Sequence, residues 1–157
     1  QHVLENLLNT IPAGQIVAIV RNPGKDFTRT RKLDFATTIR CLIAMESGSL
    51  RKELLEFFHY HYDTATASAF SQQREKILPE ALEFLFQEFN ASFAHNQSYR
   101  EYQLLACDGT ALNISRNPRD QENYFQSNPG EKGFSQLHLN ALYDLCSRRY
   151  VDAIIKR

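Results

Sequence analysis

Residues 102–110, YQLLACDGT, decide how the second half of the chain folds. Their side chains alternate so that both faces are mostly apolar, which predicts a buried central strand. Asp108 then stands at the carboxyl end of that strand, directly before Gly109 and Thr110. Such a strand end is either an ordinary Asp-Gly turn or the place where the sheet presents one acidic side chain. This stretch alone favours the turn, whereas the sequence on either side of it favours the acidic site.

The composition is typical of a core-forming protein without a dominant charge. The chain has 157 residues, 43% of them hydrophobic, and eighteen basic side chains balance eighteen acidic ones. That length accommodates one ordinary domain, or a small domain and part of a second. Because the formal charge is zero, binding to nucleic acid or to a membrane surface would have to come from local patches.

Targeting signals and disulfides are not expected from this sequence. No apolar run approaches the roughly 20 residues of a membrane span, and the N-terminus lacks a signal-peptide pattern, so we predict no membrane and a cytoplasmic location. Cys41, Cys107 and Cys146 lie far apart in apolar contexts, which predicts three buried thiols. The missing initial Met and a predicted strand that runs to Arg157 indicate a fragment of a longer protein.

The first part of the chain, residues 1–95, is predicted to be an all-α domain. Apolar spacing predicts helices over 3–11, 35–46, 50–58, 67–77 and 78–89. Asp34, Ser49 and either Thr66 or Ser68 are candidate N-caps. Two helices joined by a glycine-containing turn and followed by a short third helix are similar in outline to a helix-turn-helix DNA-binding domain.

Two sets of residues in this domain are candidate DNA contacts. The loop that contains the Asn22-Pro23-Gly24 turn carries basic side chains that suit phosphate: Arg21, Lys25, Arg29, Arg31 and Lys32. The outer face of the short helix carries side chains that suit base edges: Ser71, Gln72, Arg74 and Lys76. Both sets are also typical of ordinary solvated surfaces, and the sequence leaves the two interpretations open.

Residues 96–157 are predicted to form strands joined by a long loop. After Asp108 the chain enters a polar stretch with two Asn-Pro pairs, in which Arg116, Arg119 and Lys132 would lie near the acidic side chain or on a mobile surface. Residues 135–145 alternate cleanly, Asp144 begins a polar turn, and residues 149–157 resume as a strand. A first strand followed by a hairpin is therefore expected.

Several motifs together carry a resemblance to a known family. ACDGT at 106–110, LHLNALYDL at 137–145 and SAFSQQREK at 68–76 resemble the DDE transposases of bacterial insertion sequences, specifically the insertion-sequence-four family. The segment KLDFATTIRCLIAMESGSLRKELLEFF, at 32–58, is similar to that family's N-terminal helical region. The likeness covers about residues 27–157, and it rests on the order and spacing of the motifs.

The resemblance implies both a fold and an activity. It implies that residues 96–157 begin an RNase H-like catalytic domain, truncated here, with Asp108 as the first acidic residue of the DDE triad and a ligand of catalytic Mg²⁺. The second Asp and the Glu of the triad have no match in this chain. The implied partners are the terminal inverted repeats of double-stranded DNA, in a bacterial cytoplasm. A truncated sheet would also expose an edge to which a second copy could pair, as in a homodimer.

Two other classes of function remain open at the level of sequence. The chain could be a non-catalytic DNA-binding module or transposition inhibitor, which would bind duplex DNA without metal. It could also be a structural or interaction domain, in which Asp108 affects stability alone. In a full-length transposase, the same acid would instead be essential for DNA cleavage and strand transfer and dispensable for end binding.

Overall fold

The computed structural model describes residues 2–11, 13–29, 31–93 and 98–156. The chain divides into two compact units, Gln1–Ser92 and Phe93–Arg157. The first unit contains the helices and the second an antiparallel sheet, so the predicted α+β class is confirmed. The predicted boundary between residues 95 and 96 lies outside the described residues.

The helical unit has six helices among its described residues, and three of them begin with a side-chain cap. Asp34, Ser49 and Thr66 each accept a hydrogen bond from the backbone N–H three residues later, which satisfies a donor that the helix itself leaves free. The helices are α1 (His2–Thr10), α2 (Ala13–Ala18), α3 (Phe35–Ala44), α4 (Leu50–Phe57), α5 (Ala67–Arg74) and α6 (Glu80–Ala91).

Two apolar cores hold this unit together, and α3 contributes to both. One face of α3 packs Phe35 and Ile39 against α1 and α6, where Leu8 and Leu85 are buried. A second core unites α3, α4 and α5, and its buried members are Leu33, Cys41, Leu54 and Phe70. The helix spacing in the sequence predicted the buried positions Phe35, Ile39, Ala81 and Leu85 of these faces. Ile43 and Leu82, which the same spacing places on the apolar faces, are exposed.

The short helix α5 ends earlier than the sequence predicts. It was expected to run to Ile77, but it stops at Arg74. Ile77 instead forms an isolated antiparallel bridge with Val20. Val20 directly precedes the loop that carries the predicted phosphate contacts. Lys76 therefore follows the helix rather than lying on its face.

The second unit is a four-stranded antiparallel sheet centred on its third strand. Its strands are β1 (Leu105–Ile114), β2 (Tyr124–Phe125), β3 (Phe134–Asp144) and β4 (Arg149–Lys156). β3 pairs with β1 on one side and with β2 and β4 on the other. The predicted hairpin of β3 and β4 is confirmed, whereas the pairing of β2 inside the polar loop was not predicted.

The prediction for the first strand is wrong in two respects. The strand extends to Ile114, so Asp108 is a mid-strand residue, and the Asp-Gly pair neither turns the chain nor ends the strand. All ten residues of β1 are exposed, whereas the sequence predicted a buried central strand. The physical reason is that β1 pairs with β3 alone, and the described residues of this unit contribute no buried apolar side chain that would form a second layer.

The cysteine prediction holds at one position only. Cys41 is buried in the second helical core, and burial raises the pKa of its thiol to about 11. Cys107 is exposed on the edge strand β1, and Cys146 is half-buried in the turn between β3 and β4. No helix in the described part of the chain is both long enough and apolar enough to cross a membrane.

Candidate nucleic-acid interface

Residues 21–32 are hereafter called the basic loop. The loop begins with a turn, and its acidic residue, Asp26, accepts hydrogen bonds within that turn. The carbonyl of Asn22 accepts hydrogen bonds from the N–H groups of Lys25 and Asp26, both at 3.1 Å, while Gly24 takes a φ of 76°. The Asp26 carboxylate in turn accepts the backbone N–H of Asn22 at 2.9 Å and its side-chain amide at 3.1 Å. The carboxylate thus stabilises the turn, and it is not one of the residues that line the cavity described below.

The start of the basic loop is fixed to the end of α5. The N–H of Arg21 donates to the carbonyl of Lys76 at 2.7 Å, and the N–H of Leu78 donates to the carbonyl of Ile19 at 3.0 Å. These bonds surround the bridge between Val20 and Ile77, two side chains that pack in the first core. The loop and the segment after α5 are therefore held side by side.

The far end of the basic loop is fixed by Lys32. Its ammonium lies 2.6 Å from the carboxylate of Asp63 and 5.0 Å from the centre of the Phe58 ring. Asp63 also contacts His61, and the hydrogen bond from Lys32, followed by that from His61, lowers the pKa of Asp63. Lys32 was predicted to contact DNA, but its charge is already paired within the helical unit.

The basic loop and the end of α5 line a partly open cavity of about 290 Å³. Cationic side chains line it from two directions, with Lys25, Arg29 and Arg31 from the loop and Lys76 from the segment after α5. Gln73 and Phe27 complete much of the wall, and none of the lining residues described is acidic. The structure therefore brings together basic residues from the two sequence-predicted sets.

The predicted face of α5 separates into two surfaces. Gln72 and Arg74 are exposed and do not line the cavity, whereas Ser71 is half-buried. Gln73, which the sequence did not mark, lines the cavity and accepts a hydrogen bond from the Lys76 ammonium at 3.0 Å. The sequence does place Gln73 three residues before Lys76. However, a helix that was predicted to continue to Ile77 gave no reason to expect a cavity at its end.

The basic side chains of the sheet unit do not surround Asp108. The polar loop begins after Ile114, six residues beyond Asp108, which in a strand is a distance of about 20 Å. There the Arg116 guanidinium lies over the Tyr124 ring at 4.1 Å, while Arg119 and Lys132 are exposed. The expectation that these residues lie near the acid is therefore wrong, because the strand continues past Asp108.

Asp108 is exposed in the middle of an edge strand, opposite Ala141 of β3. Its carboxylate accepts the N–H of Gly109 at 2.8 Å. A Cβ at Gly109 would lie 2.8 Å from the Asn140 amide oxygen, so glycine is explained by this close approach rather than by a turn. Asp108 is thus accessible to a partner of the chain.

The described residues do not form a metal site around Asp108. They contain no group of three or more His, Cys, Asp or Glu side chains that could hold an ion. The strand register places Asp152 on the opposite face of the sheet from Asp108. Mg²⁺ needs several oxygen ligands in octahedral geometry, and a single carboxylate facing alanine does not supply them. The Mg²⁺ that the resemblance implies does not fit these residues alone.

Asp144 is the buried acid of the sheet unit, and it stabilises a turn as predicted. It accepts the N–H groups of Cys146 and Ser147, at 2.8 and 3.2 Å, and the side-chain amide of Gln103 at 3.1 Å. Burial acts to raise its pKa, but these hydrogen bonds outweigh burial and lower the pKa to about 2. Asp144 is therefore a charged structural residue.

Comparisons with known proteins return no relative. No protein-family model, no curated protein and no solved structure matches this chain. Its function is therefore inferred from its own residues and from the motif resemblance.

Proposed function

We propose that this chain binds duplex DNA as part of a DDE transposase of a bacterial insertion sequence. Its helical unit would contact the terminal inverted repeats. The observation that carries the proposal is the convergence of Lys25, Arg29, Arg31 and Lys76 around one cavity whose described lining contains no acidic side chain. Basic side chains gathered on one face are the electrostatic requirement for binding the DNA backbone.

The arrangement of α3, α4 and α5 supports a helix-turn-helix type of DNA-binding domain. The turn after α3 contains Gly48, whose N–H donates to Glu53 of α4 at 2.7 Å, and all three helices share the second core. In such domains one helix presents exposed polar side chains to base edges. Gln72 and Arg74 of α5 are exposed and are the candidates for that role.

The catalytic part of the proposal concerns Asp108. An exposed carboxylate on the first strand of a sheet, followed by an antiparallel hairpin, is compatible with the start of an RNase H-like domain. In the full-length enzyme the family resemblance assigns Asp108 to metal-dependent cleavage and strand transfer. Asp108 is the only member of the triad to which the resemblance assigns a position here.

The experiment that tests the proposal is duplex binding as a function of salt. A fluorescently labelled duplex that carries an inverted repeat, and a scrambled duplex, are titrated with the whole chain. Replacing Arg29 by Ala should reduce the slope of log K against log salt by about one, since one phosphate contact is lost. Lys52→Ala is the matched control, because Lys52 lies on the same unit, pairs with Glu56 and does not line the cavity. Failure to detect any duplex binding at low salt would overturn the proposal.

A non-catalytic DNA-binding module is the second candidate, and it is favoured because the cations around the cavity all belong to the helical unit, whereas Asp108 belongs to the sheet unit. Both candidates bind duplex DNA in the absence of metal. They differ in what Asp108→Ala does to cleavage. In a transposase that carries all three acids the variant loses strand cleavage and retains end binding, whereas in a non-catalytic module the substitution affects neither.

A further inference from the structure

We propose that the cavity of the helical unit is a phosphate site that accepts one backbone phosphate of duplex DNA, and that Lys76 is its fixed ammonium. The identity of the macromolecule rests on the proposed function. The anion site itself rests on the geometry of the cavity. The two parts can therefore fail separately.

Lys76 is positioned before any ligand arrives. Its ammonium donates to the side-chain oxygen of Gln73 at 3.0 Å and lies 5.8 Å from the centre of the Phe27 ring. Its own carbonyl is held by the N–H of Arg21. An ammonium has three donors and Gln73 takes one, so donors remain for phosphate oxygens. Since the side chain is already ordered, binding costs little additional conformational entropy.

The basic loop supplies the opposite wall of the cavity. Lys25, Arg29 and Arg31 line it and are exposed, so they can approach a phosphate from the solvent side. Guanidinium groups bind phosphate oxygens through paired charge-assisted hydrogen bonds. Both ends of the loop are tethered, at Arg21 to Lys76 and at Lys32 to Asp63, which keeps these side chains close to Lys76.

The cavity is large enough for a phosphate group, and its charge suits one. Its volume of about 290 Å³ is just below the range of small-molecule cavities, which span roughly 300–1,000 Å³. Asp26 and Glu75 adjoin lining residues in sequence, but neither lines the cavity, and Asp26 is occupied by its two hydrogen bonds with Asn22. An anion that enters the cavity therefore meets four cations and no acidic member of its described lining.

This assignment changes the role of Lys76. On the outer face of a helix, Lys76 would be a candidate for contact with DNA bases. As a residue of the cavity, Lys76 would bind the phosphate backbone of DNA instead. Phosphate contacts fix the register of a protein on DNA and carry no sequence information directly. Sequence preference would then depend on Gln72 and Arg74, which do not line the cavity.

Titration of the whole chain with inorganic pyrophosphate, followed by NMR or calorimetry, tests the anion site without DNA. We expect saturable binding, with Kd raised by about tenfold in Lys76→Met, since a hydrogen bond to a charged group is lost. Arg29→Met provides a second variant, on an exposed loop residue, in case Lys76→Met fails to fold. Lys52→Met is the control and should change Kd by less than about twofold, within the small effects of exposed charges. In duplex binding, Lys76→Met should lower the salt slope by about one while the preference for the inverted repeat over a scrambled duplex stays the same.

The outcomes separate the two parts of the proposal. If the chain binds duplex DNA but pyrophosphate does not saturate, or if Lys52→Met weakens pyrophosphate as much as Lys76→Met does, the anion site is overturned and the proposed function stands. If pyrophosphate binds through Lys76 and Arg29 while duplex DNA does not bind, the anion site stands and the proposed function is overturned. A change of sequence preference in Lys76→Met would overturn the backbone assignment.

Discussion

The backbone N–H of Arg21 donates to the carbonyl oxygen of Lys76 at 2.7 Å, which joins the first residue of the basic loop to the residue that forms the opposite wall of the cavity. The two positions are far apart in sequence, and each carries a cationic side chain. The bond therefore couples the placement of the loop to the placement of Lys76. A change in the backbone at position 21 should affect phosphate binding even where no charge is altered.

Replacing Arg21 by Pro tests this coupling. Proline removes the donated N–H together with the charge, whereas Arg21→Ala removes the charge alone. We expect Arg21→Pro to lower the free energy of unfolding by about 1 kcal/mol relative to Arg21→Ala, and to weaken duplex binding further. Urea unfolding and anisotropy titrations measure both effects. Equal DNA affinity in the two variants would show that the backbone link does not shape the binding surface.

Lys32→Met separates a structural cation from the DNA-binding cations. Because the Lys32 charge is paired with Asp63, its loss should leave the salt slope of duplex binding unchanged, while Arg31→Met should lower that slope by about one. The substitution should also raise the pKa of Asp63 towards its ordinary range, since the hydrogen bond from Lys32 is the main cause that lowers it. NMR titration of the Asp63 carboxyl measures this shift.

The direction of the pH dependence at Asp63 follows from the lowered pKa. The interaction is fully present above the ordinary aspartate pKa, and it is lost as the pH falls through the lowered value of the folded protein. Lys52→Met, which removes a lysine that contacts Glu56, is the control and should leave the pKa of Asp63 unaltered. A reduced salt slope in Lys32→Met would mean that Lys32 also contacts DNA.

Much of the helical unit could be predicted from sequence, because its signals are local. The caps at Asp34 and Ser49 and the spacing around Phe70 depend on neighbours within one or two helical turns. The cavity could not be predicted in the same way. It depends on the bridge between Val20 and Ile77, which are distant in sequence, and on the end of α5 at Arg74.

In the sheet unit, contacts between strands determine more of the structure than local sequence patterns do. Alternation correctly predicted the strand β3, but the exposure of β1 depends on which strands pair with it, and alternation carries no information about that. Gly109 resembled a turn residue, yet its role is to leave room for the Asn140 side chain of the neighbouring strand. Contacts between strands decided both features.

The hairpin at Asp144 should contribute a pH-dependent part of the stability of the sheet. Its pKa of about 2 in the folded protein lies below the ordinary value of about 3.9, so its contribution is present above about pH 4 and is lost as the pH falls towards 2. Asp144→Asn keeps an oxygen that can accept the N–H groups of Cys146 and Ser147 but cannot ionise. Between pH 4 and pH 2, we expect the melting temperature of Asp144→Asn to fall less than that of the wild type.

Asp144→Ala removes the acceptor altogether and provides the comparison. It should melt below the wild type and below Asp144→Asn at neutral pH, because the two N–H groups of the turn lose their partner. Thermal unfolding followed by circular dichroism distinguishes the three proteins. Identical acid profiles in the wild type and in Asp144→Asn would exclude a stabilising role for the Asp144 charge.

Gly109 and Gly133, both in the sheet unit, should differ in their tolerance of a methyl group. A Cβ at Gly133 would lie 2.5 Å from the backbone carbonyl oxygen of Phe125 and would also contact the Tyr124 ring, so the pairing of β2 must shift. A Cβ at Gly109 meets only the ends of two side chains, Asn140 at 2.8 Å and His138 at 3.1 Å, which can rotate. We expect Gly133→Ala to destabilise the protein by about 1–3 kcal/mol and Gly109→Ala by less. Urea unfolding of both variants checks the order, and a larger loss in Gly109→Ala would contradict it.

Asp108→Asn should separate DNA binding from any chemistry at the sheet. Asparagine keeps an oxygen that can accept the N–H of Gly109, and the side chain is exposed, so the free energy of unfolding should change by no more than about 0.5 kcal/mol. Duplex affinity should also be unchanged, because the proposed DNA contacts belong to the helical unit. Anisotropy titration and urea unfolding of the same preparation measure both quantities. A loss of duplex affinity with unchanged stability would place Asp108 in direct contact with DNA and would extend the interface to the sheet unit.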